Sequence, residues 1–254
     1  MERIDAVTGF VIFMIGAILG SFIACVADRL ARGENPWRGR SHCEACGHLL
    51  SPADLVPVLA YLRLGGRCRY CGSKIPPALP FTEIAFGAAA AVIAQRFGWS
   101  WTTLKVLGFA GILMAVALVD IKTYTIADGL VAAGIVWWLA MAPLTLGTAW
   151  QTVLADIGGA FVLAAVLWLV AWLFERRTGR RGLGDGDIKL CLMAGLYVGV
   201  WALSLFLLLA CGFGLIFAAA TRQRKIPFGP AIALSAVFCV LAGGPIVTAL
   251  LTVF

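Results

Sequence analysis

Charge is what this chain has least of. Only 13% of its 254 residues are Asp, Glu, Lys or Arg, against 61% hydrophobic, and the mean hydropathy is +0.95. That balance excludes an ordinary soluble domain. The apolar runs lack a polar stripe, which indicates lipid on their outer faces. They also lack the period-two alternation of an outer-membrane barrel. Basic residues are scarce ahead of the first run: Arg3 stands alone between Glu2 and Asp5, and the positive cluster follows the run, which is the reverse of a signal peptide. The string Phe22-Ile23-Ala24-Cys25 faintly resembles a lipoprotein cleavage site, a reading disfavoured because the rest of the chain also spans. The two-half symmetry of many ion-coupled carriers is missing as well. What remains is an all-α polytopic membrane protein.

Several runs reach the roughly 18 residues needed to cross a ~30 Å hydrocarbon core. The sequence predicts spans near 9–27, 80–95, 103–119, 129–147, 152–174, 190–221 and 228–254. The stretch 190–221 has no charged residue and is too long for one crossing at about 1.5 Å per residue. Basic clusters on both sides of it predict two short crossings with a bend near Gly199, hence about eight transmembrane helices. Placing 28–79, 121–128, 175–189 and 222–227 inside puts 17 of the 20 Lys and Arg residues on one side. The positive-inside rule then predicts both termini external. This topology accounts for the net charge of +7 without a nucleic-acid partner.

Residues 28–79 form the large water-exposed segment, a cytoplasmic zinc-ribbon-like loop. It carries Cys43-Glu44-Ala45-Cys46-Gly47 and Cys68-Arg69-Tyr70-Cys71-Gly72. Two CxxC-Gly knuckles predict a four-cysteine Zn2+ site with ligands Cys43, Cys46, Cys68 and Cys71, closed and therefore structural. Two disulfides or free thiols are the alternatives, and a cytoplasmic location disfavours the disulfides. His42 and His48 read as bystanders, and Cys25, Cys191, Cys211 and Cys239 as packing residues in spans. Ser51-Pro52-Ala53-Asp54 has the pattern of a capping box, predicting a short helix toward Leu62 that Pro57 ends or kinks.

The acids are the informative remainder. Asp120 closes the apolar run from Gly108 to Val119, and Asp187 lies in GLGDGDIKL, where another run begins. A carboxylate at membrane depth costs roughly 2.5–3.5 kcal/mol on insertion scales, so it marks a functional site by default. Two of them on one side of the membrane suggest a proton-sharing pair of the kind that hydrolyses amides in aspartic proteases. Gly182, Gly184 and Gly186 would permit backbone shapes that a side chain blocks, and let a substrate strand come close; an ordinary inter-helix loop is the plain alternative. Asp185 with Asp187 could instead hold a hard cation. Asp128 reads as a helix cap. Glu83 reads as a partner for a loop arginine or a neighbour of the site, and Asp156 has no evident role.

Several of these motifs match one family almost end to end: Gly20-Ser21-Phe22, RSHCEACGHLL, GRCRYCG, PFTEIAFG, ALVDIKTYTIAD, GLGDGDIKL and IPFGP at 226–230. The chain resembles the bacterial type IV prepilin peptidases, GxGD intramembrane aspartic proteases. The resemblance implies catalysis by Asp120 and Asp187, with Asp185 at the variable position of GxGD. It implies a pilin or pseudopilin precursor as substrate, cut on the cytoplasmic face of the inner membrane, usually after a glycine. It also implies, for many members, N-methylation of the new terminus by S-adenosylmethionine, although no glycine-rich cofactor loop on a βαβ unit is visible. Ala127 stands where the family often has proline. The expected organisation is a first transmembrane helix (1–27), the four-cysteine loop (28–79) and a transmembrane peptidase part (80–254). A proton-coupled transporter and a non-catalytic assembly scaffold are the competing classes.

Overall fold

A computed structural model describes residues 5–37, 39–145, 150–180, 182–221, 226–243 and 246. Arg3, Arg38, Arg181, Arg222, Arg224, Lys225 and the end of the last expected span lie outside those residues. Among the described residues the regular structure is helical, joined by two isolated β-bridges in the cysteine loop. The chain forms two compact units, Met1–Thr103 and Leu104–Phe254.

In the first unit, α1 (Ala6–Ala31) starts at Asp5, whose carboxylate accepts from the Thr8 N–H at 3.3 Å and the Thr8 hydroxyl at 2.6 Å. Its last turn runs into Arg32, which pairs with Asp28, Glu34 and Glu44 and so ties the helix end to the first cysteine knuckle. The loop follows, with a 3-10 turn at Pro52–Asp54 and a five-residue α2 (Leu59–Arg63). The break expected at Pro57 is there and leaves two short pieces. Pro57 withholds a donor, and Val58 adopts φ +61°, a left-handed conformation that no helix continues through. The expected capping contact is present: Asp54 accepts from the Ser51 N–H (3.2 Å) and hydroxyl (2.7 Å).

Helix α3 (Ala78–Phe97) packs along α1. Lipid tails are as apolar as leucine, so close packing rather than hydrophobic transfer holds such helices together. Here the close approach runs through glycines. A Cβ on Gly16 would meet Gly87 Cα at 2.9 Å, and one on Gly87 would meet the Phe13 carbonyl oxygen at 2.8 Å.

The second unit comprises most of α4 (Trp101–Thr123), then α5 (Asp128–Thr145), α6 (Trp150–Thr178), α7 (Asp185–Val198), α8 (Leu203–Thr221) and α9 (Gly229–Phe238), which ends in a π-turn at Cys239–Gly243. Its core gathers Phe109, Leu113, Val116, Leu190, Met193, Phe206 and Ile232. Helix α7 packs against α5, α6 and α9. Tyr197 on α7 stacks on Phe109 at 3.8 Å and donates to the Gly134 carbonyl at 2.6 Å.

The bend expected near Gly199 is there, with φ +80° at Gly199. Asp156, unexplained from sequence, accepts from the Val200 N–H at 3.2 Å just past the bend. The two legs are unequal: α7 has 14 residues, whereas Val200–Thr221 has 22. The first leg starts at Asp185, because an acidic first turn is favourable at a helix N-terminus and continues the helix ahead of the apolar run.

Among the described residues, six helices are long and apolar enough to cross a membrane: Ala6–Ala31, Ala78–Phe97, Trp101–Thr123, Asp128–Thr145, Trp150–Thr178 and Val200–Thr221. The protein is thus an all-α, multi-pass membrane protein. Two shorter helices, α7 and the apolar Gly229–Gly243, stand where the other two of the eight expected spans fall. Of the four span cysteines, Cys191 and Cys239 are buried and Cys25 is half-buried, whereas Cys211 is exposed and does not pack inward.

Candidate functional site

Asp120 lies in the last turn of α4 and is 4% exposed. Asp187 lies in the first turn of α7 and is half-buried. Both acids belong to the second unit, and the charge on Asp120 is felt at Asp187. A third segment completes the site. The Gly229 N–H, at the start of α9, donates to Asp120 Oδ2 at 2.7 Å in a buried contact. The first N–H groups of a helix have no partner within it, and here a carboxylate from another helix serves one of them. Ends of three helices, separated by up to 109 positions in sequence, therefore converge on one carboxyl pair.

The glycines of GLGDGD work by size. None of Gly182, Gly184 and Gly186 has a positive φ, so the expected special backbone shapes are not what they supply. A Cβ on Gly184 would lie 3.1 Å from Asp187 Oδ2, and one on Gly186 would lie 3.1 Å from Ile126 Cβ. The first therefore leaves room for the carboxylate, and the second lets the start of α7 approach the connection between α4 and α5.

The other acids are accounted for. Asp185 is exposed, and two residues apart on a helix it does not share a face with Asp187. Among the described residues no third His, Cys, Asp or Glu joins them in a cation-binding group. Asp128 begins α5 within its first turn rather than preceding it as a cap, and pairs with Lys189 on α7 at 2.8 Å. Glu83 on α3 is buried and, among the described residues of the first unit, pairs with no arginine: it accepts from the Val58 N–H at 2.7 Å, holding that residue in place.

The four cysteines converge as predicted. Their sulfurs lie within 4.8 Å of one another, and Cys43 Sγ is 3.8 Å from Cys71 Sγ. Four thiolates bound tetrahedrally at about 2.3 Å from zinc would stand about 3.8 Å apart. The donor set and spacing thus fit Zn2+. The two knuckles share one construction. In the first, Cys43 N–H bonds His48 O, Gly47 N–H bonds Cys43 O, and Gly47 has φ +70°; in the second, Cys68, Ser73 and Gly72 (φ +72°) repeat it. The bridges His42–Leu49 and Arg67–Lys74 close the two turns. All four thiols are free of disulfides. His48 stacks on Tyr70 across the knuckles at 3.6 Å, and His42 Nδ1 lies near the Arg40 carbonyl, so neither histidine is needed as a ligand.

Chemically, two carboxyl groups that approach each other where water is scarce resist ionising together and can share one proton. Such a pair can activate water and protonate a carbonyl in the same step. Two contributors escape a reading by residue type: the Gly229 amide and the Val58–Glu83 bond. A backbone donor carries no signature of its own. The Gly229-Pro230 pair did signal a helix start, since proline suits the first turn.

Comparison with known proteins agrees with this geometry. Residues 14–97 match the model of the bacterial peptidase A24 N-terminal domain, and residues 107–219 match that of the type IV leader peptidase family. The first range holds all four knuckle cysteines and the second holds both aspartates. The chain is 33% identical over 228 residues to a prepilin leader peptidase/N-methyltransferase of Burkholderia pseudomallei (strain 1026b), covering 87% of this chain and 73% of the relative. It is 31% identical over 262 residues to a protein of the same name from Pseudomonas putida, covering 92% and 90%. A further relative of that name from Pseudomonas aeruginosa is 30% identical over 263 residues, again covering 92% and 90%. No solved structure matches the chain significantly.

Proposed function

The chain belongs to the type IV leader peptidase family, and from that premise we propose that it is an integral-membrane aspartic endopeptidase that removes the short basic leader from type IV prepilins or pseudopilins. Asp120 and Asp187 are its catalytic pair. What supports this reading is a buried and a half-buried carboxylate on the ends of separate helices, within electrostatic reach of each other and inside the range matched by the peptidase family. The site faces the cytoplasm of the inner membrane, with both termini external. The placement of 17 of 20 basic residues supports that orientation. In this reading 28–79 is a cytoplasmic loop between the first helix (1–27) and the peptidase part (80–254).

The ionised member of the pair takes a proton from water as the water oxygen attacks the scissile carbonyl carbon. The neutral member gives its proton to the carbonyl oxygen, which spares the tetrahedral centre a bare negative charge. On collapse the C–N bond breaks, the amine leaves with the proton taken from water, and the new acid returns a proton to the pair. Hydrolysis then balances with one water consumed and the shared proton restored.

Zn2+, held by Cys43, Cys46, Cys68 and Cys71, would cross-link a loop too small to build its own core. Four thiolates leave no open coordination position, so the ion takes no part in hydrolysis. The relatives' name also implies N-methylation of the new terminus, with S-adenosylmethionine as donor. The described residues present no glycine-rich loop on a βαβ unit to cradle that donor, and no transfer step is derived for it.

The test is leader removal from a purified prepilin by the detergent-solubilised protein. Asp120→Asn and Asp187→Asn should each lower turnover at least about 1,000-fold, within the range for losing an acid–base group, while inserting normally. Wild-type turnover by either variant would end the dyad reading. Capture of prepilin without cleavage by the wild type would favour a scaffold.

A further inference from the structure

A catalytic carboxylate works only if it is held still, and in a bilayer few groups can hold it. Asp120 is buried, and among the described residues the donor to its carboxyl group is the backbone N–H of Gly229, 2.7 Å from Oδ2. Gly229 is itself buried, and it begins α9 directly after Phe228 and ahead of Pro230. It also stands against the carboxyl group. A Cβ built on Gly229 would lie 2.8 Å from Asp120 Oδ2, 3.1 Å from its Cβ and 3.2 Å from its Cγ. Real Cβ atoms do not approach an oxygen that closely, and here both partners sit on packed helices.

We propose that Gly229 is a positioning residue for Asp120: its N–H pins Oδ2 and its missing side chain leaves the carboxyl group room to stay in register with Asp187. The proposal rests on the assignment of Asp120 as one of the catalytic pair.

The chemistry follows from hydrogen-bond polarity. An N–H can only donate, so the oxygen facing it accepts and does not carry the pair's proton. The shared proton is confined to Asp120 Oδ1 and the Asp187 carboxyl group. Oδ1 is thereby the Asp120 oxygen through which that acid gains or gives up a proton, while Oδ2 stays bonded to Gly229 throughout. Proline at the next position withholds a second donor, so Gly229 alone offers an N–H at this point of the turn.

The experiment uses the full chain in detergent with a purified prepilin, measuring kcat and KM separately. Gly229→Ala should lower kcat about 100-fold, the loss expected when a reacting group is misplaced by about 1 Å. KM should stay within about threefold. Gly212→Ala, where a Cβ meets nothing within 4 Å, should behave as wild type. A second variant replaces Gly229 by glycolic acid, giving a backbone ester that adds no bulk and deletes only the N–H. Its kcat should fall about 10- to 100-fold, the range for losing a hydrogen bond to a charged group. If Gly229→Ala fails to insert, the ester variant decides. Wild-type kcat in the ester variant, or a Gly229→Ala loss confined to KM, overturns the proposal. Asp120→Asn separates the two layers: its inactivity beside a fully active ester variant sinks the Gly229 role alone, whereas its activity sinks the dyad.

Discussion

Removing the Glu83 carboxylate should loosen the cysteine loop without unfolding the helices. Val58 sits at φ +61°, a conformation that costs a non-glycine residue about 1–2 kcal/mol. The Glu83 side chain, buried on α3, keeps it there by accepting its N–H at 2.7 Å. A hydrogen bond to a charged group contributes about 1.5–3 kcal/mol, and deleting one partner leaves the other unsatisfied. Once released, the segment relaxes and recovers part of the left-handed strain. The net effect of Glu83→Ala should therefore be about 1–2 kcal/mol, a 5- to 30-fold increase in the open population. Hydrogen exchange read by mass spectrometry tests this directly. Peptides covering 55–64 should exchange faster by that factor, while peptides within 106–119 keep their wild-type protection. Glu83→Gln retains an acceptor oxygen and should show a smaller change. Unchanged exchange in Glu83→Ala, or an equal effect of Glu83→Gln, would refute the bond as what holds the loop.

Gly87→Ala should destabilise the α1–α3 pair by about 1–3 kcal/mol through overpacking, because its Cβ would sit 2.8 Å from the Phe13 carbonyl oxygen. Thermal unfolding in detergent measures it, with Gly9→Ala, which meets nothing within 4 Å, as the neutral comparison. In the cysteine loop, the Cys46 N–H, with help from the Ser73 hydroxyl, pulls the Cys43 thiol down to about 6. Metal-free protein should therefore alkylate at Cys43 readily at pH 7 and slowly at pH 5, since the thiolate is lost as pH falls through that value. Added Zn2+ should block the reaction; equal rates at both pH values, or no protection by zinc, would contradict the site.

The large features were legible because each rests on a local signal. Six of the expected spans overlap full-length helices among the described residues, since an uninterrupted apolar run has one stable backbone solution in lipid. The cysteine knuckles were legible because CxxC-Gly encodes ligand spacing and turn geometry together. The bend at Gly199 followed from the length of the run and the basic clusters at both its ends. What escaped depends on partners far away in sequence. Glu83 could be seen as a buried acid, but its partner is a backbone N–H 25 residues earlier, and no side-chain pattern announces that. Asp156 likewise meets a backbone N–H 44 residues later. The Gly16 and Gly20 pair lies in an apolar run where glycine reads as filler until the facing helix is known. The role of the GLGDGD glycines was misread for a related reason: sequence shows that a side chain is missing, not whether φ or space requires it.

The short α7 explains why chemistry needing water can occur on a chain this apolar. Fourteen residues span about 21 Å, some 9 Å less than a typical hydrocarbon core. If α7 crosses the bilayer, thinning or water entry makes up that difference. The ionisable groups are arranged to use it. Asp187 lies in the first turn of α7, within the field of Asp120. Just past the other end, Asp156 receives the Val200 N–H and lies within the field of the half-buried Lys105. Lys105 in turn stands over the rings of Trp138 and Tyr197 at 5.4 and 5.8 Å. A full-length helix would bury one of these polar ends or expose the apolar middle; a short one keeps both near water. Between those ends α7 is gripped by Asp128 at Lys189, by Ile126 at Gly186 and by the Gly134 carbonyl at Tyr197. Asp187 therefore rides on a fixed element rather than a loose loop. A carboxylate shared with a second helix end needs that rigidity, because one proton can serve two acids only while their separation holds.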